Sequence, residues 1–551
     1  MEKLLPSRFV PFVLCVAMFV LSLAMLFNGS PHGVWLWRSL AVLSGALCAV
    51  GIFDMAQRKH TLYRNFPLTA HIRTFFEFFR PMLRQYVVES DTEEVPFSHA
   101  QRALVYQRAK NVEDKRPFGT EQNLYATQYE WINHSLSPAK IEGHDFRIEI
   151  GGPECKQPYS ASVFNISAMS FGSLSANAIR ALNEGARRGG FYHDTGEGSL
   201  SRYHREMGGD ICWEIGSGYF GCRNADGSFS LDKFTETANS PQVKMIEVKL
   251  SQGAKPGHGG VLPAAKVSAE IAEARGVPMG VDCVSPAAHS AFSTPVELLQ
   301  FVARLREKSG GKPTGFKLAI GHPWEWFGIA KAMQQTELLP DFIVVDGGEG
   351  GTGAAPLEFV DHVGAPLREA LLLVHNTLVG LNLRDKVRLG ASGKVITGFD
   401  LARNMALGAD WCNAARGYMF ALGCIQSQSC HTDRCPTGIA TQDPSRWKKL
   451  DVPDKAERVR MFHDNTLKAL KELIAASGMS HPNEIGPEHI IRRVSSTEVR
   501  SLSALYHFVK PGELIGGLPD HAVFKVFWHA ARTDSFAPPS YVLEQHHTKT
   551  H

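Results

Sequence analysis

Three of the ten cysteines stand in one short run, CIQSQSCHTDRCP, at Cys424, Cys430 and Cys435. Crowded thiolates bind soft or borderline metals, and the choice among them follows from number and spacing. A structural zinc site usually takes four ligands in paired C-x2-4-C hooks, which this run does not offer. An iron–sulfur cluster suits thiolates gathered in one loop better, with buried thiols as the bland alternative. Three cysteine ligands, one short of the cubane's four, favour 3Fe–4S over 4Fe–4S.

A second set of candidates is cationic. Lys249, Lys255 and Lys317 lie at or just beyond apolar runs that read as strands, where an ammonium group can bind a carboxylate or stabilise charge on a reduced cofactor. Small residues gather at Gly390-Ala391-Ser392-Gly393-Lys394 and Ala415-Arg416-Gly417, where backbone N–H groups can approach an anion and Arg416 can add charge-assisted bonds. The run from Asp346 to Pro356 satisfies G-x-G-x-x-G through Gly348, Gly350 and Gly353. That pattern requires a helix to open at once, whereas Ala354-Ala355-Pro356 extend the loop, so no NAD(P) site is assigned.

These residues need a scaffold that brings strand ends together. From Phe164 onward, short apolar runs alternate with Ala- and Leu-rich helical stretches, the pattern of a parallel α/β fold. Eight strands are expected at 164–169, 189–195, 245–250, 279–284, 315–320, 341–346, 387–392 and 410–415, enough to close a barrel whose Gly-, Ser- and Lys-rich strand ends form the active face. In such barrels a phosphate sits at the loops after strands seven and eight, here GASGK and ARG.

The run GCIQSQSCHTDRCPTGIATQ resembles the cluster loop of the glutamate synthase synthase domain, an FMN-binding (β/α)8 barrel with a 3Fe–4S cluster. AKPGHGGVLPAAK (254–266) and DGGEGGTGAAP (346–356) match the same family in the same order, and the resemblance covers about residues 160 to 445. It implies a TIM barrel with FMN held by Ala168, Met169 and Ser170 under the ring, by Lys249 and Lys317, by Gly350, Gly351 and Thr352, and by Ser392, Gly393, Arg416 and Gly417. It implies cluster ligation by Cys424, Cys430 and Cys435. It further implies 2-oxoglutarate on Lys255 and Arg275, with Glu197 and Lys255 as catalytic candidates; His258 joins them on its own chemistry, as an imidazole able to serve in acid–base steps.

Two departures qualify the substrate. The family motif reads KPGEGGQLPG, whereas this chain has His258 for the Glu and Val261 for a Gln that contacts substrate. A site that loses a polar partner binds its old ligand less well or binds another. In large glutamate synthases a nucleophilic cysteine follows Met1, whereas Glu2 stands here, so glutamine hydrolysis is not expected. Nitrogen would then come from ammonium, an amine or a separate amidotransferase subunit. The implied activity is reductive amination of a 2-oxo acid, with electrons from a separate donor. The alternatives are an N-substituted glutamate synthase subunit and a membrane-tethered electron-transfer or redox-sensing protein.

Residues 1–58 hold two apolar runs, Phe9–Phe27 and Val34–Phe53, each long enough to span a bilayer. Lys3, Arg8, Arg58, Lys59 and Arg64 flank the pair while the connecting NGSPHG has no Lys or Arg, which sets both ends and the catalytic domain in the cytoplasm at the inner membrane. Segment 59–150 reads as juxtamembrane helices and a connection, and its Phe75-Phe76-x-Phe78-Phe79 cluster is expected to pack against the barrel in preference to lying in the membrane interface. The barrel is bounded at 151–445, followed by a helical extension at 446–551 with its long helix around 455–476. The histidines of the last dozen residues read as a frayed end. Net charge is +3, from 58 basic and 55 acidic residues, which leaves no general basic surface for nucleic acid.

Overall fold

The computed structural model describes residues 7–28, 33–92 and 96–539. Lys3, Glu2, most of the NGSPHG connection and the histidine tail lie outside the described residues. The chain divides into two compact units, Met1–Ala100 and Gln101–His551.

The first unit holds helices Val10–Phe27 and Val34–Ala56, both long and apolar enough by length and composition to cross a membrane. Pro11 occupies the first turn of the former, where its missing N–H costs nothing. Asp54, in the last turn of the second helix, is fully buried and accepts bonds from Leu68 N at 3.1 Å and His71 Nε2 at 2.9 Å. These bonds tie the helix end to the next long helix, Thr69–Leu83. Phe75, Phe76 and Phe78 on that helix are each exposed over more than half their surface.

The second unit is a closed barrel of eight parallel strands. They are β1 (Phe164–Ile166), β2 (His193–Asp194), β3 (Ile211–Ile215), β4 (Val243–Lys249), β5 (Thr314–Leu318), β6 (Phe342–Asp346), β7 (Arg388–Ser392) and β8 (Trp411–Ala414). Neighbours in sequence are neighbours in the barrel, and β8 closes on β1 with Cys412 opposite Phe164. Seven strands lie within one or two residues of expectation or inside it. The eighth is a correction: the run 279–284 is outside the barrel, and only Cys283–Val284 pairs, antiparallel to Val261–Leu262. The place belongs to ICWEI, β3, whose Glu214 faces a partner inside the barrel and so is no mark of a surface segment.

Helix boundaries follow local chemistry. Ser175 caps Ala176–Gly189 by accepting from Ala178 N, and Gly190 ends it in the left-handed conformation. The C-terminal helix Val452–Ala476, capped by Asp451, packs on Ala176–Gly189 and on Gly398–Ala406. Beyond it, Ile490–Arg493, expected within a run of short helices, is a strand pairing antiparallel with Glu130–Ile132 and with Val499–Ser501. The nearly buried Glu130 carboxylate takes Arg368 at 3.0 Å, Arg403 at 3.3 Å and Arg492 at 2.6 Å, fastening segments before, within and after the barrel to one anion.

Candidate active site

The sequence-predicted residues gather at the C-terminal ends of the strands, the face on which barrel enzymes build their sites. Glu197 stands in the loop after β2, and its Oε2 accepts a bond of 2.7 Å from Nζ of Lys249, the last residue of β4. Lys249 also donates to Gln252 Oε1 at 3.0 Å. Burial pushes the Glu197 carboxyl up, but Lys249, with Arg275 and Lys255 behind it, holds it at about 2. Glu197 is therefore a carboxylate at any working pH, suited to orienting a cation or an amine and poorly suited to donating a proton.

Lys255 is buried in the loop after β4 and donates to Ala354 O at 3.0 Å, which joins that loop to the one after β6. Burial lowers its pKa, opposed by the nearby Glu197 charge. Arg275, the last residue of helix Ala269–Arg275, is also buried and donates to Phe171 O at 3.2 Å and Ser170 Oγ at 3.4 Å. Its Nε has no hydrogen-bond partner among the described residues. The two expected substrate cations and Glu197 thus belong to one electrostatic cluster.

His258 is placed differently. Its Nδ1 lies 2.8 Å from Gly259 O, and its ring stands edge-on to Phe359 at 5.3 Å. Lys317 is engaged below the rim, inside the barrel, where its Nζ pairs with Glu214 and with Glu247 at 3.1 Å. Asp194 and Cys212 complete this interior cluster. Three carboxyls face one ammonium, so protons are retained: burial first, partly offset by Lys317, raises Glu247 to about 7, and burial raises Asp194 well above the carboxylate range. Sequence reasoning missed Glu214 and Glu247. The available signal was a glutamate set between apolar neighbours, in ICWEI and in MIEV.

The loops after β6, β7 and β8 converge on a cradle of small residues. Asp346, at the end of β6, accepts from Gly253 N at 2.7 Å and from Ser392 Oγ. Gly350 N donates to Gly347 O at 2.8 Å and Thr352 Oγ1 to Ala354 O at 3.3 Å, curling the glycine-rich run back on itself. Arg416 begins helix Arg416–Leu422, with Gly417 next, and reaches back to Glu349 O. A Cβ on Gly351 would lie 2.8 Å from Arg416 Nε, so a larger residue there would push this guanidinium from its place. Burial lowers Arg416 to about 10, still cationic near neutrality. Backbone N–H groups, the Ser392 hydroxyl, the open backbone of Gly393 and one buried guanidinium fit a flavin phosphate.

Ala168, Met169 and Ser170 follow β1 and pass beneath the Glu197 loop. Gly196 there has φ +62°, and a Cβ would stand 2.7 Å from Ser170 N. The two loops can therefore stack only through a glycine.

The cysteine loop begins where helix Arg416–Leu422 ends at Gly423. Gln426 N approaches Cys424 Sγ at 3.4 Å, and Thr437 Oγ1 lies 3.4 Å from Cys435 Sγ. Cys424 is pushed up to about 12, by burial first and then by the neighbouring Cys430 and Cys435. Burial acts upward on Cys435 too, but bonds from Thr437, Ala440 and Ile439 outweigh it and leave this thiol the more easily ionised. Gln426, Gln428 and Asp433 have positive φ, which turns the chain sharply within the loop. Three thiols that feel one another's charge, met by N–H and O–H donors, fit an iron–sulfur cluster. Gln442 Nε2 donates to Gly172 O and Leu174 O, both at 3.0 Å, which fixes this loop beside the segment after β1.

Residues 112–480 match the conserved region in glutamate synthase. The chain belongs to the glutamate synthase family. It is 36% identical over 497 residues to the glutamate synthase large subunit-like protein YerD of Bacillus subtilis, covering 83% of this chain and 94% of that one. It is 33% identical over 354 residues to the archaeal glutamate synthase [NADPH] of Methanocaldococcus jannaschii, covering 64% of this chain and 65% of that one. The chain thus spans less than two thirds of this archaeal relative. Among solved structures, a flavocytochrome b2 mutant with pyruvate bound aligns with a TM-score of 0.42 at 12% identity, over 82% of this chain and 90% of that one.

Proposed function

We propose that this family member is an FMN- and 3Fe–4S-dependent oxidoreductase that reductively aminates a 2-oxo acid, with 2-oxoglutarate to glutamate as the first assignment. The observation that carries this reading is the cluster of Lys249, Lys255 and Arg275 around the Glu197 carboxylate at the barrel mouth, between the small-residue cradle and the thiol loop. Bound there, FMN supplies hydride chemistry and the iron–sulfur cluster single electrons.

The protein's own residues do the rest. Lys255 and Arg275 hold the two carboxylates of a dicarboxylic oxo acid, and two cations at fixed separation select that length over a monocarboxylate. Glu197 remains ionised and orients ammonium or the developing iminium, whose positive charge it stabilises. The balanced reaction joins 2-oxoglutarate and ammonia, takes up two electrons and two protons, and releases glutamate and water. Electrons come from a separate donor protein, and the two N-terminal helices hold the chain in a membrane with the barrel on the cytoplasmic side.

A second reading has its own observation. Val261 pairs with Val284 where the family carries a Gln, and His258 meets Phe359, so the 254–261 loop is more apolar than the family motif provides. An alkylamine, giving an N-substituted glutamate, suits such a wall. The test is an anaerobic half-reaction: reduced protein mixed with oxo acids and either ammonium or methylamine, with flavin reoxidation and product identity recorded. Reoxidation by 2-oxoglutarate with ammonium supports the first reading, and with methylamine alone the second. No reoxidation by any pair would overturn both and leave an electron-transfer role.

A further inference from the structure

Helix Thr69–Leu83 carries Ile72, Phe75, Phe76, Phe79, Met82 and Leu83 at helical spacing, in a single stripe. In a soluble protein such a stripe faces the core, yet Ile72, Phe75 and Phe76 are each exposed over more than half their surface. The rings of Phe75 and Phe79 meet at 4.7 Å, and those of Phe75 and Phe76 at 5.7 Å. Arg73 and Arg80 run along one edge of the stripe, with Arg73 bonded to Glu77 at 2.8 Å. Between residues 58 and 84 six Lys or Arg residues stand against one acid, Glu77.

The helix begins at the foot of the second apolar span. Asp54 of that span holds both Leu68 N and His71 Nε2. Tyr63 stacks on His71 at 4.5 Å and its hydroxyl meets Thr74 Oγ1 at 2.6 Å. These contacts start the helix where a span of that length leaves the hydrocarbon. An apolar stripe edged by arginines at that level matches the boundary between headgroups and acyl chains. The excess of basic residues selects an anionic leaflet.

We propose that helix Thr69–Leu83 is an in-plane membrane helix. Its phenylalanine stripe lies among the upper acyl chains, and Arg73 and Arg80 lie at the phosphates of anionic lipids. This rests on the two-span reading given above, and the experiment separates the two.

The full-length protein is placed in nanodiscs of phosphatidylcholine alone or of equal parts phosphatidylcholine and phosphatidylglycerol, and hydrogen exchange of residues 69–88 is followed by mass spectrometry. Co-elution of protein with the discs after alkaline carbonate washing reports the spans independently, and its failure would remove the two-span reading and this proposal together. With the spans seated, amides of 69–88 are expected to exchange at least tenfold more slowly in the anionic discs, with the difference shrinking at high salt. Phe75→Ser/Phe76→Ser/Phe79→Ser is expected to lose this protection while still co-eluting with the discs. Arg73→Gln/Arg80→Gln is expected to lose only the part specific to anionic lipid. Protection that is equal in both discs and persists in lipid-free amphipathic polymer would mean that a protein surface covers the stripe. Free exchange in every disc would mean that nothing does, and either result overturns the proposal.

Discussion

Lys249 Nζ stands 2.7 Å from Glu197 Oε2, joining the end of β4 to the loop after β2 across 52 residues of chain. This pair fixes the charge at the barrel mouth. In Lys249→Met the Glu197 carboxyl loses its nearest cation and rises from about 2 toward its ordinary value of 4.5. The stabilisation carried by a depressed acid is present above its unfolded pKa and lost as pH falls through the folded one. The variant should therefore lose activity at higher pH than the parent on acidification, as read from the acid limb of a pH–rate profile. An unmoved limb would show that Glu197 plays no part in turnover.

Glu247 gives the opposite sign. Its carboxyl is raised to about 7 from 4.5, so the unfolded chain gives up this proton first as pH rises. Stability contributed by this site should fall between about 4.5 and about 7. Glu247→Gln keeps the shape and removes the titration. Denaturant unfolding across that range should show a flatter stability–pH curve for the variant, and parallel curves would mean that Glu247 is ionised throughout.

The three-thiol loop predicts about three irons per chain and an oxidised 3Fe–4S signal in electron paramagnetic resonance. Cys430→Ser should lose the iron and that signal while retaining most of the flavin, since the cradle at Gly351, Ser392, Gly393 and Arg416 lies on other loops. Iron and flavin are assayed separately. Zinc in place of iron in the parent would refute the cluster.

Lys255→Ala should weaken binding of a dicarboxylic oxo acid by about 1.5–3 kcal/mol, the range for a hydrogen bond to a charged group. It should raise KM more than it lowers kcat. Arg275→Ala should cost at least as much, because this guanidinium also braces Ser170 and Phe171. Val261→Gln should improve 2-oxoglutarate binding if the site has merely weakened, and lower turnover on another acid if it has changed specificity.

The barrel was legible because most of its strands fall in short apolar or β-branched runs, such as MIEVK, FIVV and RLGAS, that alternate with Ala- and Leu-rich helical stretches. The eighth was not, since ICWEI reads as broken by a glutamate, and only the ion pair with Lys317 of β5 makes that residue an interior one. MGVDCV has strand composition but only two residues find a partner. The small residues after β6 and β7 stood out in composition at strand ends, and the three cysteines by their spacing alone. The Glu197–Lys249 bond was not, because no spacing rule links residues 52 apart. The stacking of Gly196 on Ser170 was hidden likewise, since sequence shows a glycine without showing what it lies against.

Glu130 and its three arginines bear on how the protein is made. The partners leave the ribosome in the order Arg368, Arg403 and Arg492, and the strand Ile490–Arg493 that pairs with Glu130–Ile132 comes after all eight barrel strands. Until then the Glu130 segment lacks its sheet partner, and the outer face of Ala176–Gly189 lacks helix Val452–Ala476. Contacts so distant in sequence form late and leave apolar surface open in the meantime. A nascent chain stalled before residue 452 should therefore hold chaperones and yield to protease, and a nascent chain released past residue 501 should not.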